Sequence, residues 1–76
     1  MIKHINTIIM QPLVSIVTPI FNSEKVIGET IQSVLNQSYT NWELLLVNDA
    51  SIDKSGIVAN EFLAQDTRIK LFEFSE

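Results

Sequence analysis

The residue best placed for chemistry in this chain is Asp49. It follows the apolar run "LLLV" and sits in the polar turn "NDASID", residues 48–53. A carboxylate at the end of a hydrophobic strand can accept hydrogen bonds from a ligand's N–H, and an ionised acceptor makes a strong one. The same residue type is a routine turn and cap residue, so both readings stand at this point. Ser51 and Asp53 read as caps of a following helix. Asp49 and Asp53 together are too few ligands for a metal ion. The chain has no cysteine, and its lone His4 makes no cluster, so zinc-type sites are not expected. His4 reads as a solvated residue of a leading arm.

A turn of this kind needs a strand to deliver it. "WELLLVN", residues 42–48, reads as a buried strand, and "LVSIVT", residues 13–18, as another that is buried on both faces and ended by Pro19. Between them "SEKVIGETIQSVLNQ", residues 23–37, places apolar residues at 27, 31, 34 and 35 on one helical face. Asn22 or Ser23 can cap that helix, with Glu24 favourable in its first turn. Gly28 inside it costs about 1 kcal/mol against alanine, which close packing against a strand would explain. A second helix is expected over residues 53–65, with Val58, Phe62 and Leu63 inward. "RIKLFEF", residues 68–74, reads as a third strand with Lys70 and Glu73 towards solvent. Tyr39 and Trp42 read as packing residues.

The order is β-α-β-α-β. Right-handed crossovers then give a parallel sheet of order 3-2-1, half of a doubly wound nucleotide-binding fold. In such sheets ligands sit beyond the carboxyl ends of the strands, which here are "TPIFN" and "VNDAS".

Composition narrows the function classes. At 76 residues the chain makes one small domain, which buries only about 60% of its unfolded surface. The net charge is −4, and the five basic residues are scattered at 3, 25, 54, 68 and 70. That pattern excludes a nucleic-acid footprint and a polybasic membrane patch. No run approaches the ~20 apolar residues of a membrane span. The opening "MIKHINTIIM" lacks the long apolar centre of a signal peptide. The expected location is cytoplasmic, with a parent protein at the cytoplasmic membrane face left open.

The stretch "VSIVTPIFNSEKVIGETIQSVLNQSYTNWELLLVNDASID" resembles the amino-terminal part of family 2 glycosyltransferases, which have the GT-A fold. The family pattern runs V-S-I-I-x-P-x-Y-N, then S-V-L-x-Q-T/S-Y, then E-hydrophobic-hydrophobic-V-D-D-G/A-S-x-D. Matching residues are Val14, Ser15, Ile16, Pro19, Asn22, Ser33 to Leu35, Gln37 to Tyr39, Glu43, Val47, Asp49, Ser51 and Asp53. "DTRIKLFEF" is similar to the family's third strand. The resemblance implies a three-layer βαβαβ half of a Rossmann-like (GT-A) fold over residues 13–76, preceded by an N-terminal arm, residues 1–12.

It also implies transfer of a sugar from a nucleotide-diphosphate donor, most often a UDP-sugar, to an acceptor hydroxyl. Asp49 matches the carboxylate that accepts a hydrogen bond from the donor base. Phe21 matches a tyrosine whose ring lies near the base, Pro19 lines the same pocket through its backbone, and Asn22 belongs to the same nucleotide-binding group. Two departures stand out. Asn48 replaces a first aspartate, and Phe21 lacks the phenol hydroxyl. The family's D-x-D, which holds a divalent metal (Mg or Mn) on the diphosphate, and its general base fall beyond these residues, and the chain contains no D-x-D. No cofactor, metal ligand or catalytic residue is therefore expected within this chain, and as 76 residues alone it is expected to be inactive.

The far edge of the first strand is expected to be bare unless "NTIIM", residues 6–10, covers it. A bare edge favours a homo-oligomer. The alternative to a donor-binding half is a non-catalytic α/β binding or assembly module on the same scaffold.

Overall fold

The computed structural model describes residues 11–75. The leading residues, with His4 and the "NTIIM" segment expected to cover the sheet edge, lie outside the described residues. The apolar runs form three strands, β1 (Val14–Ile20), β2 (Trp42–Asp49) and β3 (Ile69–Phe74), and the periodic segments form α1 (Ile27–Leu35) and α2 (Ser55–Leu63). The strands are parallel in the order β1-β2-β3, the 3-2-1 sheet seen from its other edge. β2 is central. It runs in register with β1 from Val14↔Trp42 to Ile20↔Asn48, and with β3 from Leu44↔Ile69 to Asp49↔Phe74.

Strand burial alternates. Trp42, Leu44, Leu46 and Asn48 are buried, while Glu43, Leu45 and Val47 between them are half-covered. The core gathers Ile20, Ile27, Ile31, Trp42, Leu44, Leu46, Ala59 and Ile69. All of it lies on one face of the sheet, where both helices pack. Among the described residues no helix covers the other face, and Val17, Phe72 and Phe74 are 62%, 46% and 58% exposed on it. β1 is therefore not buried on both faces, and the described residues form two layers rather than three. The cause is topological. Right-handed crossovers that step in one direction across a sheet keep their helices on the same side.

Gly28 packs towards α2 and not towards a strand: a Cβ added there would meet Phe62 and Val58, each at 3.9 Å. α1 starts later than the caps suggested. Val26 occupies the cap position without a side-chain hydrogen bond. The Ser23 carbonyl accepts the N–H groups of Val26 and Ile27 at 3.0 and 2.9 Å. The Asn22 side chain is engaged elsewhere.

At the opposite end of the sheet, the Arg68 guanidinium lies 3.8 Å from the centre of the buried Trp42 ring, a cation–π contact. Arg68 also donates to both Asp66 oxygens and to the Thr40 carbonyl. Those bonds hold the Asp66 carboxyl at about 2, well below the usual range. The Tyr39 hydroxyl donates to the Pro12 carbonyl, so both Tyr39 and Trp42 are structural. On the face away from the helices Ser15 donates to Glu43 at 2.5 Å, and Lys70 approaches the same carboxylate at 3.4 Å. The Ser15 hydroxyl, more than Lys70, holds the Glu43 carboxyl below its ordinary value. Among the described residues no helix is long and apolar enough to cross a membrane.

Candidate functional site at the carboxyl edge

All three strands end at one edge, and that edge gathers the residues of interest. The last ladder pairs are Ile20↔Asn48 and Asp49↔Phe74. Phe21 follows Ile20 directly, just past the end of β1, and is 63% exposed. The exposed Asp49 has Phe74, 58% exposed, as its ladder partner on β3. Alternation puts Asp49 on the face away from the helices, as it does Pro19, which pairs with Val47. Asp49 is exposed, and none of the hydrogen bonds between described residues uses its carboxylate. The chain then turns sharply. Ala50 has φ 58°, in the left-handed region, and its N–H donates to the Phe74 carbonyl at 2.9 Å.

The two loops at this edge are tied together. Asn22, at φ 47°, donates its N–H to Ser51 Oγ at 3.1 Å, and its Oδ1 accepts the Ile52 N–H at 3.0 Å. Ser23 N–H donates to Ser55 Oγ at 2.6 Å. Glu24 N–H donates to Asp53 Oδ2 at 3.1 Å, and Lys54 N–H to Glu24 Oε1 at 3.4 Å. Asn22 is therefore a loop tie whose side-chain carbonyl is already occupied. Ser51 is a tie as well, not a helix cap. Lys54 holds the cap position of α2 without a side-chain hydrogen bond; Asp53, one residue earlier, accepts the Ser55 N–H at 2.9 Å and joins the loops. Desolvation raises the Asp53 carboxyl, and the bonds from Ser55 and Glu24 outweigh it, leaving the group below its ordinary value.

The acidic residues at this edge do not fit a divalent cation. Both Asp53 oxygens are filled by protein donors. Among the described residues no three His, Cys, Asp or Glu side chains converge.

A polar cleft of about 460 Å³ lies on the helix side, walled by Asn48, Ser51, Asp53, Gly56, Asn60 and Glu73. It contains none of Pro19, Phe21, Asn22 or Asp49. Asn48, 6% exposed, accepts the Ser51 hydroxyl at 2.5 Å and donates from Nδ2 to Glu73 Oε2 at 3.2 Å. Glu73 is consequently not simply solvated. Glu73 and Phe74 were missed as site neighbours by sequence reasoning. The signal was present, because the alternation of "RIKLFEF" puts 73 and 74 on opposite faces at the strand's carboxyl end.

Fold and edge define a parallel α/β unit that offers an acceptor carboxylate and aromatic rings at its strand ends. The chain belongs to glycosyl transferase family 2, whose model matches residues 15–76. It is 48% identical over 61 residues to an uncharacterized glycosyltransferase of Haemophilus influenzae, covering 80% of this chain and 24% of that protein. It is 40% identical over 62 residues to the glycosyltransferase GlyG of Streptococcus pneumoniae, covering 82% and 21%. It is 49% identical over 59 residues to the Escherichia coli UDP-Glc:alpha-D-GlcNAc-diphosphoundecaprenol beta-1,3-glucosyltransferase WfgD, covering 78% and 22%. The chain thus spans about a quarter or less of the length of these relatives.

Proposed function

We propose that residues 13–76 form the donor-nucleotide end of a glycosyltransferase that moves a sugar from a UDP-sugar to an acceptor hydroxyl. The observation that carries this reading is the exposed Asp49 carboxylate, which takes no hydrogen bond from another described residue, with Phe74 beside it on β3 and Phe21 just past the end of β1. Uracil is flat and has one imide N–H. A fixed carboxylate suits the N–H, and aromatic rings suit the face. Pro19, on the same face, contributes backbone to the wall. Phe21 supplies a ring without a hydroxyl, so it stacks and donates nothing. A donor named as UDP-Glc in the Escherichia coli relative is in keeping with uracil.

The chain holds no D-x-D, and among the described residues no three His, Cys, Asp or Glu side chains converge. The diphosphate's metal, Mg or Mn, and the base that activates the acceptor are in this reading supplied by residues other than these 76. Alone, this stretch binds one end of the donor and transfers nothing. We also propose self-association through the β1 edge, which pairs with no other described strand, and through the apolar face that no described helix covers; light scattering that finds only monomer at high concentration contradicts it.

The test is a UDP titration followed by amide NMR. Shifts at Phe21, Asp49, Ala50 and Phe74 support the reading. Shifts confined to Ile57 and Asn60, in the helix-side cleft, contradict it.

A further inference from the structure

We infer that Asn48 and Glu73 are positioning residues for the Asp49 edge, a matched neutral–acidic pair on the opposite face of the sheet from the nucleotide. This rests on the donor-end reading of Asp49. Asn48 immediately precedes Asp49 and is almost fully buried at 6% exposure, so fixing its side chain fixes the rotation of the strand end. Its amide uses both ends. Nδ2 donates to Glu73 on β3, and Oδ1 accepts from Ser51. Ser51 Oγ then accepts the Asn22 N–H, and Asn22 Oδ1 accepts the Ile52 N–H. One hydrogen-bond chain therefore runs from the end of β3, under Asp49, to the β1–α1 loop that carries Phe21.

A second observation is independent of the bonds. α2 is seated directly on the pair at Gly56, where a Cβ would fall 2.8 Å from Asn48 Nδ2 and 2.9 Å from Glu73 Oε2. The helix backbone thus packs closely against the pair where the two side chains meet.

Charge makes the pairing specific. Titratable groups lining the cleft are Asp53 from the β2–α2 loop and Glu73 from β3; α2 contributes Gly56, Ile57 and Asn60, and among the described residues no basic side chain lines it. An amide at 48 satisfies both Ser51 and Glu73. An aspartate, which the family pattern carries at this place, still accepts from Ser51 but faces Glu73 as a like charge. Asn48 and Glu73 thus belong together.

The experiment uses the whole chain as wild type, Asn48→Asp, Glu73→Gln and the double variant, at pH 7.5 and 4.5. Two readouts are followed: UDP affinity, and the amide proton shifts of Asn22 and Ile52. Asn48→Asp is expected to weaken UDP about tenfold or more at pH 7.5, and to move both amides. Glu73→Gln restores both readouts in the double variant, and acid restores them in part as the carboxyl pair takes up a proton. If Asn48→Asp unfolds the chain at pH 7.5, recovery of folding by Glu73→Gln is the same supporting result. Unmoved amides in Asn48→Asp, or no rescue by Glu73→Gln, overturns the inference. Wild type that fails to bind UDP refutes the donor-end reading alone, because the amide shifts still decide whether the pair holds the loops.

Discussion

Gly56→Ala removes no atom, yet the structure assigns it a cost. Gly56 lies in the first turn of α2 and has no positive φ, so its backbone conformation is open to alanine. The difficulty is clearance, at 2.8 Å from Asn48 Nδ2 and 2.9 Å from Glu73 Oε2. Glu73 ends an exposed side chain and can swing aside. Asn48 is buried and held by Ser51, and cannot. The added methyl breaks the Asn48–Glu73 bond, at about 1 kcal/mol, and overpacks the α2–β2 contact, at about 1–3 kcal/mol. Helix propensity returns at most about 1 kcal/mol. The net is a loss of about 1–3 kcal/mol. Urea unfolding followed by the fluorescence of Trp42, the single tryptophan, measures it; with a slope of about 1 kcal/mol/M the midpoint falls by roughly 1 M or more. Gly28→Ala is the control. Its Cβ meets Phe62 and Val58 at an ordinary 3.9 Å, so only the propensity gain operates and the midpoint rises. A Gly56→Ala midpoint equal to or above wild type refutes the clearance reasoning.

Other outcomes follow from the same geometry. The Asp66 carboxyl is depressed from 3.8 to about 2, so its stabilising effect is complete above pH 3.8 and lost as the pH falls through about 2. Asp66→Asn therefore flattens the fall in urea midpoint between about pH 5 and 2, and an unchanged pH profile contradicts the assignment. Asp53→Ala removes the acceptor for the Ser55 and Glu24 N–H groups and is expected to lower the urea midpoint in the same assay; an unchanged midpoint contradicts the tie. Ala50→Gly relieves a left-handed residue at φ 58° and is expected to be neutral or stabilising by up to about 1 kcal/mol.

The strand order was legible because crossover handedness leaves little choice once β-α-β-α-β is read. Which face the helices cover was not. "LVSIVT" is apolar on both faces, and a continuous apolar run does not say whether a layer lies on each. The place of Asp49 at the carboxyl end of a strand was legible from the motif around it; Asp53 was read as a cap, but Lys54 holds that position and Asp53 accepts the Ser55 N–H from one residue earlier. Asn22 and Ser51 were misread as caps. Each is a good cap residue locally, but Asn22 bonds to partners 29 and 30 residues away, and no local pattern reports that. Glu73 and Phe74 were hidden for a simpler reason: their roles depend on the β2–β3 register, which puts Asn48 beside Glu73 and Asp49 beside Phe74.

The central claim is that Asp49 is the acceptor for the donor base. Calorimetric titration of UMP into wild type and Asp49→Ala tests it most directly. Asp49 is exposed and its carboxylate takes no hydrogen bond from another described residue, so the substitution leaves the stability within about 0.5 kcal/mol of wild type. Loss of a hydrogen bond to a charged acceptor should weaken UMP about tenfold or more. Equal affinity in the two proteins, with both folded, contradicts the claim.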